Sequence, residues 1–133
     1  MNSVGIGDIL EAKSQTLGLE VLTPDVSLDR AASDPDITSP GLALAGHTTR
    51  TPFGRMWVFG ETEMTYLEGL DEAEARSRLR DLFAFDVPAV FITKGQVVPE
   101  YFIEEAQNAD VPVLRSSEST KYFYERMKSF LER

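Results

Sequence analysis

The sequence of 133 residues contains no cysteine and only one histidine. Disulfide bonds, cysteine-ligated zinc, iron–sulfur clusters and thiol nucleophiles are therefore excluded, and so is a histidine-rich metal site. Basic residues are scarce as well, because 13 Lys and Arg stand against 22 Asp and Glu, for a net charge of −9. This balance argues against general nucleic-acid binding and against docking on anionic lipid, since both depend on clustered cations.

Long hydrophobic runs are also missing. No apolar run approaches the roughly 18 residues that a transmembrane helix needs. The opening residues, Met1 to Asp8, have neither the basic region nor the apolar region of a signal peptide. We therefore expect a cytoplasmic protein that has no membrane partner.

The composition is that of one globular domain. Hydrophobic residues make up 42% and charged residues 26% of the chain, close to the averages of globular proteins. A chain of this length buries roughly two thirds of its unfolded surface, which is enough for one core. In the first half, the pattern predicts a helix ending at Gly18, a strand over 19–23, a buried strand over 55–60 and a short helix over 61–67.

The second half alternates between helix and strand, and this alternation indicates right-handed parallel β-α-β crossovers. We therefore predict the α/β class: a single compact domain with a mainly parallel or mixed sheet flanked by helices. The predicted elements are a helix from Asp71, a strand over 89–93, a helix from Pro99 to Ala109, a strand over 111–114, and a final helix capped by Ser116 or Ser117.

Charged side chains near the predicted helices have ordinary structural explanations. Glu61 and Glu63 fit helix-start charges better than an acid/base pair, since acidic groups stabilise the first turn of a helix. Arg76, Arg78 and Arg80 recur at every second residue, so a helix spreads them around its axis. We interpret these arginines as a solvated helix face.

One segment has the glycine spacing of a phosphate-binding loop. Gly41 and Gly46 are followed by His47 and Thr48, so histidine stands where the lysine of such a loop is needed. The apolar residues between the glycines favour a core strand or turn. A hydrolytic role for His47 is a weaker hypothesis, and a loop histidine is the favoured interpretation. Taken alone, the residues predict an acidic α/β domain without a convincing catalytic centre.

Two runs of the sequence nevertheless resemble a known family. Residues 34–46 (DPDITSPGLALAG) and 55–67 (RMWVFGETEMTYL) are similar to the N-terminal domain of bacterial HPr kinase/phosphorylase. The sequence departs from the family at His47–Thr49, where aromatic residues are usual, and at Trp57, where Gln is frequent. Shorter similarities follow in the same order at 19–22, 28–30, 87–95, 111–115 and 119–120.

The resemblance implies an enzyme of the sugar phosphotransferase system and of carbon catabolite regulation. Such an enzyme phosphorylates a serine of the phosphocarrier HPr with ATP or pyrophosphate, and removes the phosphate by phosphorolysis. It also implies a homohexamer, and a fold similar to the N-terminal domain of Mur ligases. The family's phosphate loop, catalytic residues and magnesium ligands belong to a C-terminal kinase domain that residues 1–133 do not contain. No catalytic, cofactor-binding or metal-binding residue is therefore carried over to this chain.

Two functional hypotheses follow from the resemblance. The first is a regulatory or assembly domain, inactive by itself, whose partners are its own kinase domain, further copies of the protein, and HPr as substrate. The alternative is a stand-alone ligand-sensing or protein-interaction module that binds an anionic metabolite. The candidate ligand or interface residues are Arg30, Pro40, Gly41, Gly46, Arg50, Lys94 and Arg115.

Overall fold

The computed structural model describes residues 4–32, 37–40 and 55–131. None of the helices in this part of the chain is long and apolar enough to cross a membrane. The strands are β1 (Val4–Gly5), β2 (Glu20–Val21), β3 (Ala31–Ala32), β4 (Ile37–Thr38), β5 (Met56–Phe59), β6 (Val90–Ile92) and β7 (Val113–Arg115). The helices are α1 (Ile6–Leu17), α2 (Glu61–Glu68), α3 (Glu72–Phe83), α4 (Glu100–Asn108) and α5 (Thr120–Leu131).

A five-stranded mixed sheet forms the centre of the domain, with the strand order β2-β7-β6-β5-β4. Strands β4 to β7 are parallel, and β2 runs antiparallel to β7. Strands β1 and β3 form a separate antiparallel pair. The predicted α/β domain with a mixed sheet flanked by helices is thereby confirmed, whereas the likeness to Mur ligases stays a prediction.

Both faces of the central strands are covered by apolar side chains. On one face, Trp57 and Phe59 of β5 pack with residues of α2, α3 and α4, and Phe102 meets Phe59 edge to face at 5.2 Å between ring centroids. On the other face, Phe91 of β6 packs with α1 and α5, and its ring centroid lies 5.2 Å from that of Phe123. Because every residue of β5 and β6 is buried, these strands have the unbroken apolar sequence of a two-sided core.

Most predicted helix boundaries are confirmed. Gly18 ends α1 in the left-handed conformation, with φ of 57°, and Asp71 caps α3 by accepting a hydrogen bond from the backbone N of Glu74 at 2.8 Å. Helix α4 lies between Pro99 and Ala109, as predicted.

The predicted cap of the last helix is wrong. Helix α5 begins at Thr120, and the hydroxyl of Ser119 accepts a hydrogen bond from the backbone N of Tyr122 at 3.2 Å. Ser116 instead extends the sheet: its backbone N donates to the carbonyl of Ile92 at 2.7 Å. Its hydroxyl donates to the carbonyl of Leu17 at 2.6 Å, so tertiary contacts use the side chain that was expected to cap the helix.

The interpretation of the arginine series as a solvated face is wrong for Arg76, whose side chain is 26% exposed, and it agrees with the 65% exposure of Arg80. Both side chains also bond to the neighbouring helix. Arg80 donates two hydrogen bonds, both of 3.0 Å, to the two carboxylate oxygens of Glu105. Arg76 also reaches Glu105, at 3.1 Å, and binds Glu104 at 2.6 Å. These bonds join α3 to α4 through Glu105, which is only 5% exposed, although the side chain of Arg80 is itself exposed. The side chain of Arg78 instead pairs with a residue of its own helix, since its Nε lies 3.7 Å from a carboxylate oxygen of Glu74.

The Arg80 guanidinium lowers the pKa of the Glu105 carboxyl, and Arg76 adds to the effect against the opposing influence of burial. A carboxyl whose pKa is depressed by folding stabilises the folded state above its unfolded pKa. That stabilisation is lost as pH falls through the folded pKa.

We expect Glu105→Gln to lower the free energy of unfolding at pH 7, because two arginines lose their shared carboxylate. The loss of stability between about pH 5 and pH 3 becomes shallower in this variant, since one depressed carboxyl no longer titrates. Urea unfolding at several pH values measures both effects. The matched control is Glu104→Gln, whose side chain is 47% exposed, and we expect about half the effect or less at pH 7. Equal losses in the two variants would contradict a special role for Glu105.

Candidate functional site

A cleft of about 480 Å³ opens at the edge where the parallel strands end. Gly60 follows β5, Thr93 follows β6 and Ser116 follows β7, so the segments that leave these strands meet at one edge of the sheet. Ligands of open α/β sheets bind at such an edge. We call this site the carboxyl-edge cleft; its lining residues are Ser39, Val58, Gly60, Glu61, Thr62, Glu63, Lys94, Ser119, Thr120, Lys121 and Tyr124.

Glu63 holds one wall of the cleft together. Its side chain is only 8% exposed, and one carboxylate oxygen accepts a hydrogen bond from the backbone N of Gly60 at 2.8 Å. The other oxygen accepts one from the hydroxyl of Ser39 at 2.5 Å. Glu63 therefore caps α2 and joins it to the residue after β4, which agrees with its predicted role as a helix-start charge.

Two threonines hold the opposite wall. The hydroxyls of Thr93, after β6, and Thr120, at the start of α5, lie 2.6 Å apart. The hydroxyl of Thr120 is also close to Gly60: a Cβ atom at Gly60 would lie 3.1 Å from this oxygen and 3.4 Å from a carboxylate oxygen of Glu63. Glycine at this position lets the ends of β5 and β6 approach the start of α5.

Lys94 and Lys121 bring positive charge to the cleft. Lys94 has the left-handed backbone conformation, with φ of 64°, and its backbone N donates to the carbonyl of Glu118 at 2.7 Å. Its ammonium group forms an ion pair with Glu61 at 2.7 Å. Within the described residues, the ammonium group of Lys121 has no ion pair or hydrogen bond, so it is available to a ligand.

Tyr124 contributes a neutral hydroxyl. Burial raises the pKa of this phenol to about 12, and the nearby Glu63 carboxylate acts in the same direction. The phenol is therefore protonated at neutral pH, so it can donate a hydrogen bond and does not serve as a base.

Comparison with known proteins identifies the family of the chain. The sequence profile of the family described as "HPr Serine kinase N terminus" matches residues 4–131. The chain belongs to this family. Two relatives carry the name HPr kinase/phosphorylase. The one from Exiguobacterium sp. (strain ATCC BAA-1283 / AT1b) is 35% identical over 114 residues, which cover 86% of this chain and 37% of that protein.

The other, from Shouchella clausii (strain KSM-K16), is 34% identical over 132 residues, which cover 99% of this chain and 41% of the relative. The chain thus spans about two fifths of the length of these relatives. Among solved structures, the fold is similar to that of the CBS and DRTGG domains in the regulatory region of Clostridium perfringens pyrophosphatase. That structure has a TM-score of 0.59 and 16% sequence identity, over 89% of this chain and 44% of the other.

The structure does not gather into one site those candidate ligand residues that it describes. Among those described, Lys94 lines the carboxyl-edge cleft, and Pro40 is buried beside Ser39. Arg115, at the end of β7, is bonded instead to Glu20 at 2.7 Å and to the carbonyl of Gln96 at 3.2 Å. Gly41, Gly46, His47 and Arg50 lie outside the described residues.

Arg30 lies near the amino ends of the parallel strands, whereas Lys94 lies at their carboxyl ends. It binds a carboxylate oxygen of Asp86 at 2.5 Å and the carbonyl of Asp110 at 3.1 Å. Asp86 and Asp110 precede β6 and β7, and both have positive φ, at 54° and 60°. Arg30 therefore joins two left-handed turns to the segment before β3, which is a structural role.

The predicted set of ligand residues missed most of the cleft. Ser119 directly precedes α5, Thr120, Lys121 and Tyr124 lie within it, and no ligand-site motif in the sequence singles these residues out. Only their position directly after a parallel strand could have indicated them, because residues at strand ends meet once the strand order is known.

We expect Gly60→Ala to lower the free energy of unfolding by about 1–2 kcal/mol, because the added methyl displaces the Thr120 hydroxyl from its bond with Thr93. Urea unfolding followed by the fluorescence of Trp57, the single tryptophan, measures the change. The control is Gly69→Ala at the other end of α2. Its Cβ would meet a backbone oxygen at an ordinary 3.5 Å, so we expect no loss and a gain of up to about 1 kcal/mol. Unchanged stability in Gly60→Ala would contradict the close approach.

Proposed function

We propose that this chain is the non-catalytic N-terminal part of a bifunctional HPr kinase/phosphorylase. In this proposal the whole enzyme phosphorylates a serine of HPr with ATP or pyrophosphate and removes that phosphate by phosphorolysis. The chain contributes regulation and assembly, and the carboxyl-edge cleft is the site through which it receives a ligand. The observation that carries the proposal is the family match over residues 4–131, on a chain two fifths as long as its relatives.

The use of the polar groups in the cleft supports a non-catalytic role. The carboxylate of Glu63 accepts hydrogen bonds from Ser39 and Gly60, and the hydroxyls of Thr93 and Thr120 bond to each other, so these groups hold the fold together. The phenol of Tyr124 stays protonated at neutral pH. No group of three or more metal-ligating side chains is assembled within the described residues, and His47 stands where a phosphate loop needs lysine. In this proposal, ATP, pyrophosphate and magnesium bind to a kinase domain outside residues 1–133.

The structural neighbour supports a regulatory role by fold alone. Its similar fold lies in the regulatory region of a pyrophosphatase, and that region is described as complexed with an activator, diadenosine tetraphosphate. A domain of this shape thus accompanies a catalytic domain in another enzyme. The homohexamer, the contact with a kinase domain and the cytoplasmic location belong to the same proposal.

We expect the 133-residue chain to phosphorylate no HPr when it is incubated with HPr, magnesium and either ATP or pyrophosphate. Mass spectrometry of HPr measures the product. The full-length relative from Shouchella clausii serves as the active control. Phosphoserine formed by the 133-residue chain alone would overturn the non-catalytic assignment.

A chimera tests the regulatory part of the proposal. The matched 132 residues of the Shouchella clausii enzyme are replaced by this chain, and both directions of the reaction are measured. We expect the chimera to catalyse both, and Lys94→Asn in the cleft to change the ratio of kinase to phosphorylase rates by about threefold or more without abolishing either. Lys128→Gln, in the last turn of α5 and outside the cleft, is the control. An unchanged ratio in Lys94→Asn would contradict regulation through the cleft.

The second candidate function is a stand-alone ligand-sensing module, for which the cleft is also the ligand site. Ligand sites of roughly 300–1,000 Å³ are usual for small molecules. The intact mass of the native protein in its source cell separates the two candidates. A mass of 14.8 kDa, equal to that of this chain, would favour the stand-alone module, and a mass well above it would favour the enzyme.

A further inference from the structure

We propose that the carboxyl-edge cleft binds a small phosphate monoester through the ammonium groups of Lys94 and Lys121. In the absence of this ligand, Lys94 forms an ion pair with Glu61, and the phosphate replaces the Glu61 carboxylate when it binds. The inference rests on the proposed function, because it names the ligand class for the site through which the domain is regulated. Two observations support it: the identity of the side chains that line the cleft, and the fact that only some of them are bonded within the protein.

Most polar groups of the cleft are already used within the fold. The first turns of α2 and α5 are capped by the protein's own side chains, since Glu63 accepts from the backbone N of Gly60 and Ser119 from that of Tyr122. The hydroxyls of Thr93 and Thr120 bond to each other. The helix starts and these hydroxyls are therefore not the groups that a ligand would contact first.

Two donors of the cleft, Lys121 and Tyr124, are unbonded within the described residues, and a third, Lys94, has one exposed ionic partner. Lys121 has no ion pair within the described residues, and the Tyr124 phenol is a protonated donor at neutral pH. Lys94 has one ionic partner there, Glu61, and the two side chains are 44% and 65% exposed. Two cations and one neutral hydroxyl match the three terminal oxygens of a phosphate group, which are strong hydrogen-bond acceptors.

The ion pair between Lys94 and Glu61 is suited to exchange. An exposed pair of this kind holds weakly because water solvates both partners well, so a phosphate dianion competes with one carboxylate for the same ammonium group. Elsewhere in the described chain, Arg30, Arg76 and Arg115 are each bonded to a carboxylate and also to a further oxygen. Lys94 has a single contact of this type, which makes it the exchangeable cation of the cleft.

The carboxylates of the cleft restrict the ligand to one phosphate group. Glu63 is buried in the wall, and Glu61 remains nearby after it releases Lys94, so a second phosphate would meet negative charge. An uncharged remainder with hydroxyl groups could instead donate to Glu61. The cleft, with a volume of about 480 Å³, is large enough for a phosphate monoester with such a remainder.

Calorimetric titration of the 133-residue chain with glycerol 3-phosphate and with inorganic phosphate, at constant ionic strength and pH 7.5, tests the proposal. We expect saturable binding of one glycerol 3-phosphate. Lys94→Asn and Lys121→Gln each weaken it by about tenfold, because each removes one charged hydrogen bond. Asparagine is chosen at Lys94 because it tolerates positive φ. Glu61→Gln strengthens binding by about two- to fivefold, because the competing carboxylate is gone.

Two matched controls distinguish binding at the cleft from attraction by the overall charge of the protein. Lys128→Gln removes one positive charge from the same helix as Lys121, and Glu68→Gln removes one negative charge from the far end of α2; neither residue lines the cleft. We expect both to leave the affinity within about twofold. Circular dichroism and urea unfolding of every variant confirm that it is folded before the affinities are compared.

Three results would overturn the proposal. The first is no saturable binding of either probe at about 10 mM. The second is an equal loss of affinity in Lys94→Asn and Lys128→Gln, which would mean general charge attraction. The third, unchanged affinity in Glu61→Gln, would overturn displacement of Glu61. If the chimera responds to Lys94→Asn but no phosphate binds, only the ligand class fails. If phosphate binds but the chimera does not respond, the regulatory role fails.

Discussion

Burial of β5 and β6 on both faces is the constraint on which the rest of the domain depends. Every residue of these two strands is covered, so apolar helices must lie on each side of the sheet. Helices α2, α3 and α4 cover one face, and α1 and α5 cover the other. The parallel order of β5, β6 and β7 follows, because each helical crossover on one face returns the chain to the same end of the sheet.

The same arrangement creates the carboxyl-edge cleft. The segments that follow parallel strands lie at the same edge of the sheet, and the four segments after β4, β5, β6 and β7 meet there. Helix α5 then crosses to the opposite face from α4, so its first turn faces the first turn of α2 across the cleft. The close contacts of Gly60, Thr93 and Thr120 are the local consequence of this meeting.

The polar groups at this edge divide into two sets with different consequences for function. Glu63, Thr93 and Thr120 are bonded to neighbouring segments, and their bonds hold the ends of strands and helices in place. Lys94, Lys121 and Tyr124 are exposed or weakly engaged, so a ligand can contact them without disturbing the fold. In the proposed function, such a domain would respond to its ligand without taking part in the chemistry of a separate kinase domain.

The amino-acid sequence by itself determined the α/β class, most helices and strands, and the membership of the HPr kinase family. These depend on local patterns: the apolar run of β6, the cap at Asp71 and the ordered motifs around β5. Tertiary structure alone decided that Ser116 extends the sheet, that Arg76 and Arg80 share Glu105, and that Arg30 and Lys94 lie near opposite ends of the parallel strands. The physical reason is that such contacts join residues distant in sequence, and their partners are fixed only when the order and direction of the strands bring them together.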